Sequence, residues 1–120
     1  MKAAHLERGE DAERLALGAA RTRGLALVKR NYRCKVGEID LICEDGDVLV
    51  FIEVRYRRNT DYGLAAETVG HRKQMKIIRA AKQFLQRYPA WAVRPMRFDV
   101  VAIQGSGQTE LEWIEDAFQL

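Results

Sequence analysis

The 120-residue chain is 48% hydrophobic and 31% charged, and carries a formal charge of +3 with a pI near 9.0. Those values suit one compact core and exclude a disordered chain. The longest apolar run, Val48 to Ile52, is too short for a membrane-spanning helix, and the mild basicity admits nucleic acid as a partner without requiring it.

Lys2, Glu7 and Arg8 leave no apolar stretch at the N-terminus, so no signal peptide is expected. Residues 7–23 carry Ala12, Leu15, Ala16, Ala19 and Ala20 at helical spacing, and Gly24 is a plausible terminator. Leu25 to Tyr32 reads as a first strand. Cys34 and Cys43 belong to no CxxC or Cys/His cluster, which argues against zinc and fits reduced thiols in the cytoplasm. Glu38 to Glu44 reads as a second strand, Asp45-Gly46 as a hairpin turn, and Val48 to Arg57 as an antiparallel third strand. Residues 58–70 read as a loop. A long helix over 71–88 should stop before Pro89. Arg97 to Ile103 reads as a fourth strand, and Leu111 to Ile114 as a short edge strand. The order α-β-β-β-α-β-β predicts an α/β (α+β) domain with a central mixed sheet flanked by helices. No repeat or linker divides the chain, so residues 1–120 read as a single domain with its core over about 7–118.

The chemistry is concentrated in the second and third strands. Gly37-Glu38-Ile39-Asp40-Leu41-Ile42 and Phe51-Ile52-Glu53-Val54-Arg55 set acids among β-branched and aromatic residues. Strand alternation places Glu38, Asp40 and Ile42 on one face, and Leu49, Phe51, Glu53, Arg55 and Arg57 on one face. A two-residue turn at Asp45-Gly46 would set Asp40 roughly across from Phe51 and Glu38 roughly across from Glu53, and a slip of the register would bring Asp40 closer to Glu53. Opposed like charges are destabilising, and a buried carboxylate costs several kcal/mol without a cationic partner. A divalent metal ion would serve, and points to phosphodiester chemistry. The competing reading is a solvated acidic face paired with Arg55 and Arg57. The apolar neighbours on both strands weigh against it.

GEIDLI followed by FIEVR resembles the Asp…Glu-x-Lys signature of the PD-(D/E)XK nuclease superfamily. With Asn31-Tyr32-Arg33, the Gly63 loop, Arg97-Phe98-Asp99-Val100-Val101 and Ile114-Glu115-Asp116-Ala117-Phe118, the chain more closely resembles the bacterial YraN family. Its members have no assigned function and a fold related to Holliday-junction resolvases. The resemblance implies a restriction-endonuclease-like domain acting on DNA, branched or damaged, with Mg²⁺ or Mn²⁺ as cofactor. It also implies a symmetric homodimer, the form in which junction-cutting relatives work. Asp40 and Glu53 match the metal-binding acids, the Val54 carbonyl a further ligand, and Glu13 the extra helix acid, with Glu10 as competitor. Glu38 is left as a helper. Arg55 stands where the superfamily usually has Lys. Arginine stays protonated and cannot act as a base, but it can clamp a phosphate oxygen and stabilise developing negative charge.

On the long helix, Ile77, Ile78, Ala81, Phe84, Leu85 and Tyr88 form an apolar arc that includes Gln74. A core-facing amide needs partners, which a site carboxylate, water or phosphate would supply; a first-turn Gln bonded to backbone is the other reading. Arg72, Lys76, Arg79 and Arg87 fall on the opposite side, as on an ordinary solvated helix face. Arg57, Arg58, His71, Arg72 and Lys73 flank the rim of the site and, with Lys76, would hold a nucleic-acid backbone. The reading from another class is a non-catalytic nucleic-acid-binding or protein-interaction module that keeps the nuclease fold.

Overall fold

A computed structural model describes residues 9–57, 69–105 and 110–119, with side chains from residue 11 onward. Arg58 and the side chain of Glu10 lie outside the described residues. The elements are α1 (Gly9–Thr22), β1 (Ala26–Cys34), β2 (Gly37–Asp45), β3 (Val48–Arg57), α2 (His71–Arg87), a 3₁₀ turn (Pro89–Trp91), β4 (Met96–Gln104) and β5 (Glu110–Phe118). They form an α+β fold around one five-stranded sheet of order β1-β2-β3-β4-β5. β3 and β4 are parallel, joined across α2, and the other neighbours are antiparallel.

Each helix covers one face of the sheet. α1 turns Ala12, Ala16, Leu17 and Ala20 onto Leu41, Cys43, Val50, Ile52, Val101 and Ile103. Three alanines in that stripe bring the helix axis close to the strands. Leu15 is instead 40% exposed, because it falls outside the arc that the alanines define. The helix ends where Gly24 takes φ +87 and Leu25 N–H reaches back to the Ala20 carbonyl at 2.9 Å, a Schellman-type close. α2 lays Ile77, Ile78, Ala80, Ala81 and Phe84 on the opposite face, against Tyr32, Ile39, Phe51 and Phe98. It stops one residue before the Tyr88–Pro89 step.

The β2–β3 hairpin turns one residue later than Asp45-Gly46. Asp45 pairs with Val48, leaving Gly46 and Asp47 as the central residues, and Gly46 takes the positive-φ corner at +60°. Ile42, not Asp40, therefore stands opposite Phe51. Glu38 does not face Glu53; it lies on the β1 side, paired with Arg33 at 3.2 Å.

β5 runs nine residues instead of the short Leu111–Ile114 segment. Its second half is held by a bulge that the local pattern hides. The register shifts between Val100↔Ile114 and Phe98↔Phe118, and Asp116 takes φ +54. The fully buried Asp99 carboxylate accepts from the Asp116 N–H (2.9 Å), Trp113 Nε1 (2.9 Å) and Arg97 Nε (3.0 Å). Arg97 also reaches Asp45 and Glu115, each at 3.0 Å. The Arg97-Phe98-Asp99 and Ile114–Phe118 motifs thus fasten the edge strand; a buried charge this fully bonded is tolerated.

Gly37 fits the β1–β2 turn against α2. A Cβ there would sit 2.8 Å from the Lys76 carbonyl oxygen, a backbone atom that cannot swing away. Gly37→Ala is expected to destabilise the fold by about 1–3 kcal/mol, read as a lower urea midpoint. A wild-type midpoint would mean that the turn and helix separate freely.

Candidate functional site

The site is built where the sheet forks. β2 and β3 pair from Asp45↔Val48 to Leu41↔Ile52 and no further. Ile39 and Ile42 pack into the same core, although an unbroken pleat would send them to opposite faces, so β2 turns away from β3 at Asp40. The Asp40 carboxylate fills the gap: its Oδ2 accepts the Val54 N–H at 2.8 Å, a backbone donor that would otherwise lose its strand partner.

That hydrogen bond brings Asp40 to Glu53, on the α2 face of β3. The two carboxyls stand within hydrogen-bonding reach of one another. Glu53 is only 5% exposed. Burial, then the Asp40 charge, push its carboxyl up to about 7, against the opposing pull of Lys73 and Arg55. Asp40 is also raised, chiefly by burial, while the Val54 N–H and Lys73 favour its ionised form. Two cations reach Glu53 Oε2: Lys73 Nζ from the first turn of α2 at 3.6 Å and the Arg55 guanidinium from β3 at 3.7 Å. Asp40, Glu53, Arg55 and Lys73 thus come together at one point on the sheet.

The other residues singled out in the sequence surround this group. Glu13, on α1, is half-buried; burial and the Asp40 charge raise its carboxyl, and an Asn31 side-chain hydrogen bond lowers it. Among the described residues, no three His, Cys, Asp or Glu side chains converge on one metal position, so Glu13 does not join the pair in a compact three-acid cluster. Glu38 is exposed, its charge felt at Asp40. Gln74 donates from Nε2 to the Val69 carbonyl at 2.8 Å, the backbone contact of a first-turn amide. Arg57 lies at the end of β3, on the same face as Arg55 by alternation; Arg72 and Lys76 are exposed on α2. No described helix is long and apolar enough to cross a membrane.

Two features escaped the sequence pattern. Lys73 reads there as one more rim cation, and its contact with Glu53 joins residues twenty positions apart. Asn31 holds the left-handed conformation at φ +52, which asparagine tolerates better than most residues, and so meets Glu13; an Asn inside an apparent strand is the only local hint.

The donor set matches a hard divalent cation. Both acids are desolvated and the Asp40 charge opposes the ionisation of Glu53; one shared cation would offset both charges, and the backbone at Val54 lies beside them.

The profile of the Uncharacterised protein family UPF0102 matches residues 12–103. The chain is 52% identical over 114 residues to a UPF0102 protein of Pseudomonas fluorescens (strain Pf0-1), covering 95% of this chain and 94% of that one. It is 53% identical over 112 residues to a UPF0102 protein of Stutzerimonas stutzeri (strain A1501), covering 92% and 93%. It is 47% identical over 119 residues to one from Nitrosococcus oceani, covering 98% and 96%.

Proposed function

Because this chain belongs to the UPF0102 (YraN) family, described only as uncharacterised, we propose its activity from the site: hydrolysis of DNA phosphodiester bonds, with Mg²⁺ or Mn²⁺ held by Asp40 and Glu53. The observation that carries this reading is the acid pair at the sheet fork, with Glu53 buried, Asp40 half-buried and the Asp40 charge opposing the ionisation of Glu53. A divalent cation supplies, when bound, a water of lowered pKa and a Lewis acid for the phosphoryl oxygen. The Val54 carbonyl would complete the protein's ligands.

The chain's own residues then divide the remaining work. The fork bond from Val54 fixes the Asp40 carboxylate. Arg55, always protonated, clamps a non-bridging phosphate oxygen. Lys73 brings an ammonium to Glu53 from α2, so a lysine charge reaches the site although β3 carries Arg at the signature position. Gln74 has its amide nitrogen committed to Val69, and its oxygen can accept from an ordered water. Arg57, Arg58, Arg72 and Lys76 would hold flanking phosphates.

The second reading is a binding module without hydrolysis. It is favoured by Lys73 and Arg55, which already offset the Glu53 charge without a metal. One assay separates the two: linear, nicked and four-way-junction DNA with Mg²⁺ or Mn²⁺ against EDTA. Cleavage that needs the cation supports hydrolysis. Salt-dependent binding with no cleavage under either cation sinks it and leaves the module.

A further inference from the structure

Beside the acid pair, a cleft of about 390 Å³ opens between the β1–β2 turn and the first two turns of α2. Its lining includes Arg33, Lys35, Gly37, Glu38, Lys73 and Lys76. Gly37 sets its depth, because the absence of a side chain lets the turn lie directly against the Lys76 carbonyl. The one acid in the lining, Glu38, is neutralised by Arg33 at 3.2 Å. Lys35 and Lys76 are exposed and form no ion pair among the described residues. Lys73 belongs to both places: it lines the cleft and reaches Glu53 at 3.6 Å.

We infer that this cleft is a backbone-phosphate subsite for a nucleic-acid strand running from the acid pair between Lys35 and Lys76. The inference rests on the hydrolytic reading for the direction of the strand. Three properties fit it. The surplus charge is positive on both walls, so an anion is gripped from two sides. Lys73 and Lys76 are one helical turn apart, which spaces their heads along the cleft as a run of phosphates requires. The walls offer lysine ammoniums and no aromatic ring, so the cleft reads charge and not base identity. Lys82, also exposed on α2, lies outside the cleft lining and takes no part.

Fluorescence anisotropy with labelled single-stranded and duplex DNA in EDTA tests this across a KCl series, with cleavage measured separately under Mg²⁺. Lys35→Gln and Lys76→Gln are each expected to weaken binding and to lower the slope of log K against log[salt] by about 0.7 on single strands and about 0.9 on duplex. Lys82→Gln should leave both unchanged. That pattern supports the subsite whether or not Mg²⁺ brings cleavage; missing cleavage counts against the hydrolytic reading alone. A wild-type slope in both cleft variants, an equal loss in Lys82→Gln, or no DNA binding by the wild type overturns the subsite.

Discussion

Asp40→Asn is expected to abolish cation-dependent cleavage while leaving the metal-free protein at least as stable as the wild type. The two halves come from one geometry. Asp40 Oδ2 accepts the Val54 N–H at 2.8 Å, and an asparagine oxygen can accept the same bond, so the fork stays closed. What disappears is a negative charge that burial opposes and that itself hinders the ionisation of Glu53. Removing one of two neighbouring like charges lifts that opposition, and the Val54 hydrogen bond is not orphaned. The cation loses an anionic ligand, and cleavage should fall by about 10²-fold or more, the scale for removing one electrostatic partner of the developing charge. Asp40→Ala is the instructive contrast. It orphans the Val54 N–H and should cost about 1–3 kcal/mol, so lost activity there would not separate folding from chemistry. The measurements are the cleavage rate, the Mn²⁺ affinity by calorimetry, and the thermal midpoint in EDTA. An Asp40→Asn protein that cleaves at the wild-type rate removes the proposed mechanism. One that unfolds far below the wild type makes the carboxylate structural.

The sheet itself was legible because its strands alternate cleanly. Val50 and Ile52 face α1 while Leu49 and Phe51 face α2, as a period of two dictates. Partners across the hairpin were less legible. An Asp-Gly step marks a turn but not which of its residues is central, and the hairpin here turns around Gly46-Asp47. The resulting offset is two positions, which by itself keeps each side chain on its expected face; past Leu41, where β2 leaves β3, the alternation breaks and Ile39 joins Ile42 in one core. Asp40 is therefore legible in the sequence as a candidate acid near Glu53, while the Val54 N–H bond that fixes its carboxylate is not. The second half of β5 was hidden for another reason. Glu115 and Asp116 interrupt an apolar alternation, and only the buried Asp99, from a different strand, holds Asp116 in a bulge. Lys73 shows the same limit: no local periodicity reports a contact made across the β3–α2 crossover.

The acid pair should also make the protein's response to pH run against that of an ordinary carboxylate. Glu53 has its carboxyl raised from 4.5 to about 7 in the folded chain, first by burial and then by Asp40. Between those values the folded state holds a proton that the unfolded state has released. The stability this protonation contributes is fully present below pH 4.5 and is lost as pH rises through about 7. The thermal midpoint of the metal-free protein should therefore fall between pH 5.5 and 8 relative to Glu53→Gln, which has no such proton to lose. Cations act on the same equilibrium from the other side, because only the ionised pair is a good ligand. Mn²⁺ affinity should weaken about tenfold for each pH unit below 7, where the ion must displace a proton. A fixed Mn²⁺ concentration should then raise the midpoint more at pH 8 than at pH 5.5. Calorimetric titrations and melting curves at matched ionic strength would show both trends. A midpoint difference from Glu53→Gln that stays flat across the window, together with a pH-independent Mn²⁺ affinity, would mean that Lys73 and Arg55 already hold Glu53 ionised and that the fork is a salt-bridged joint and not a cation site.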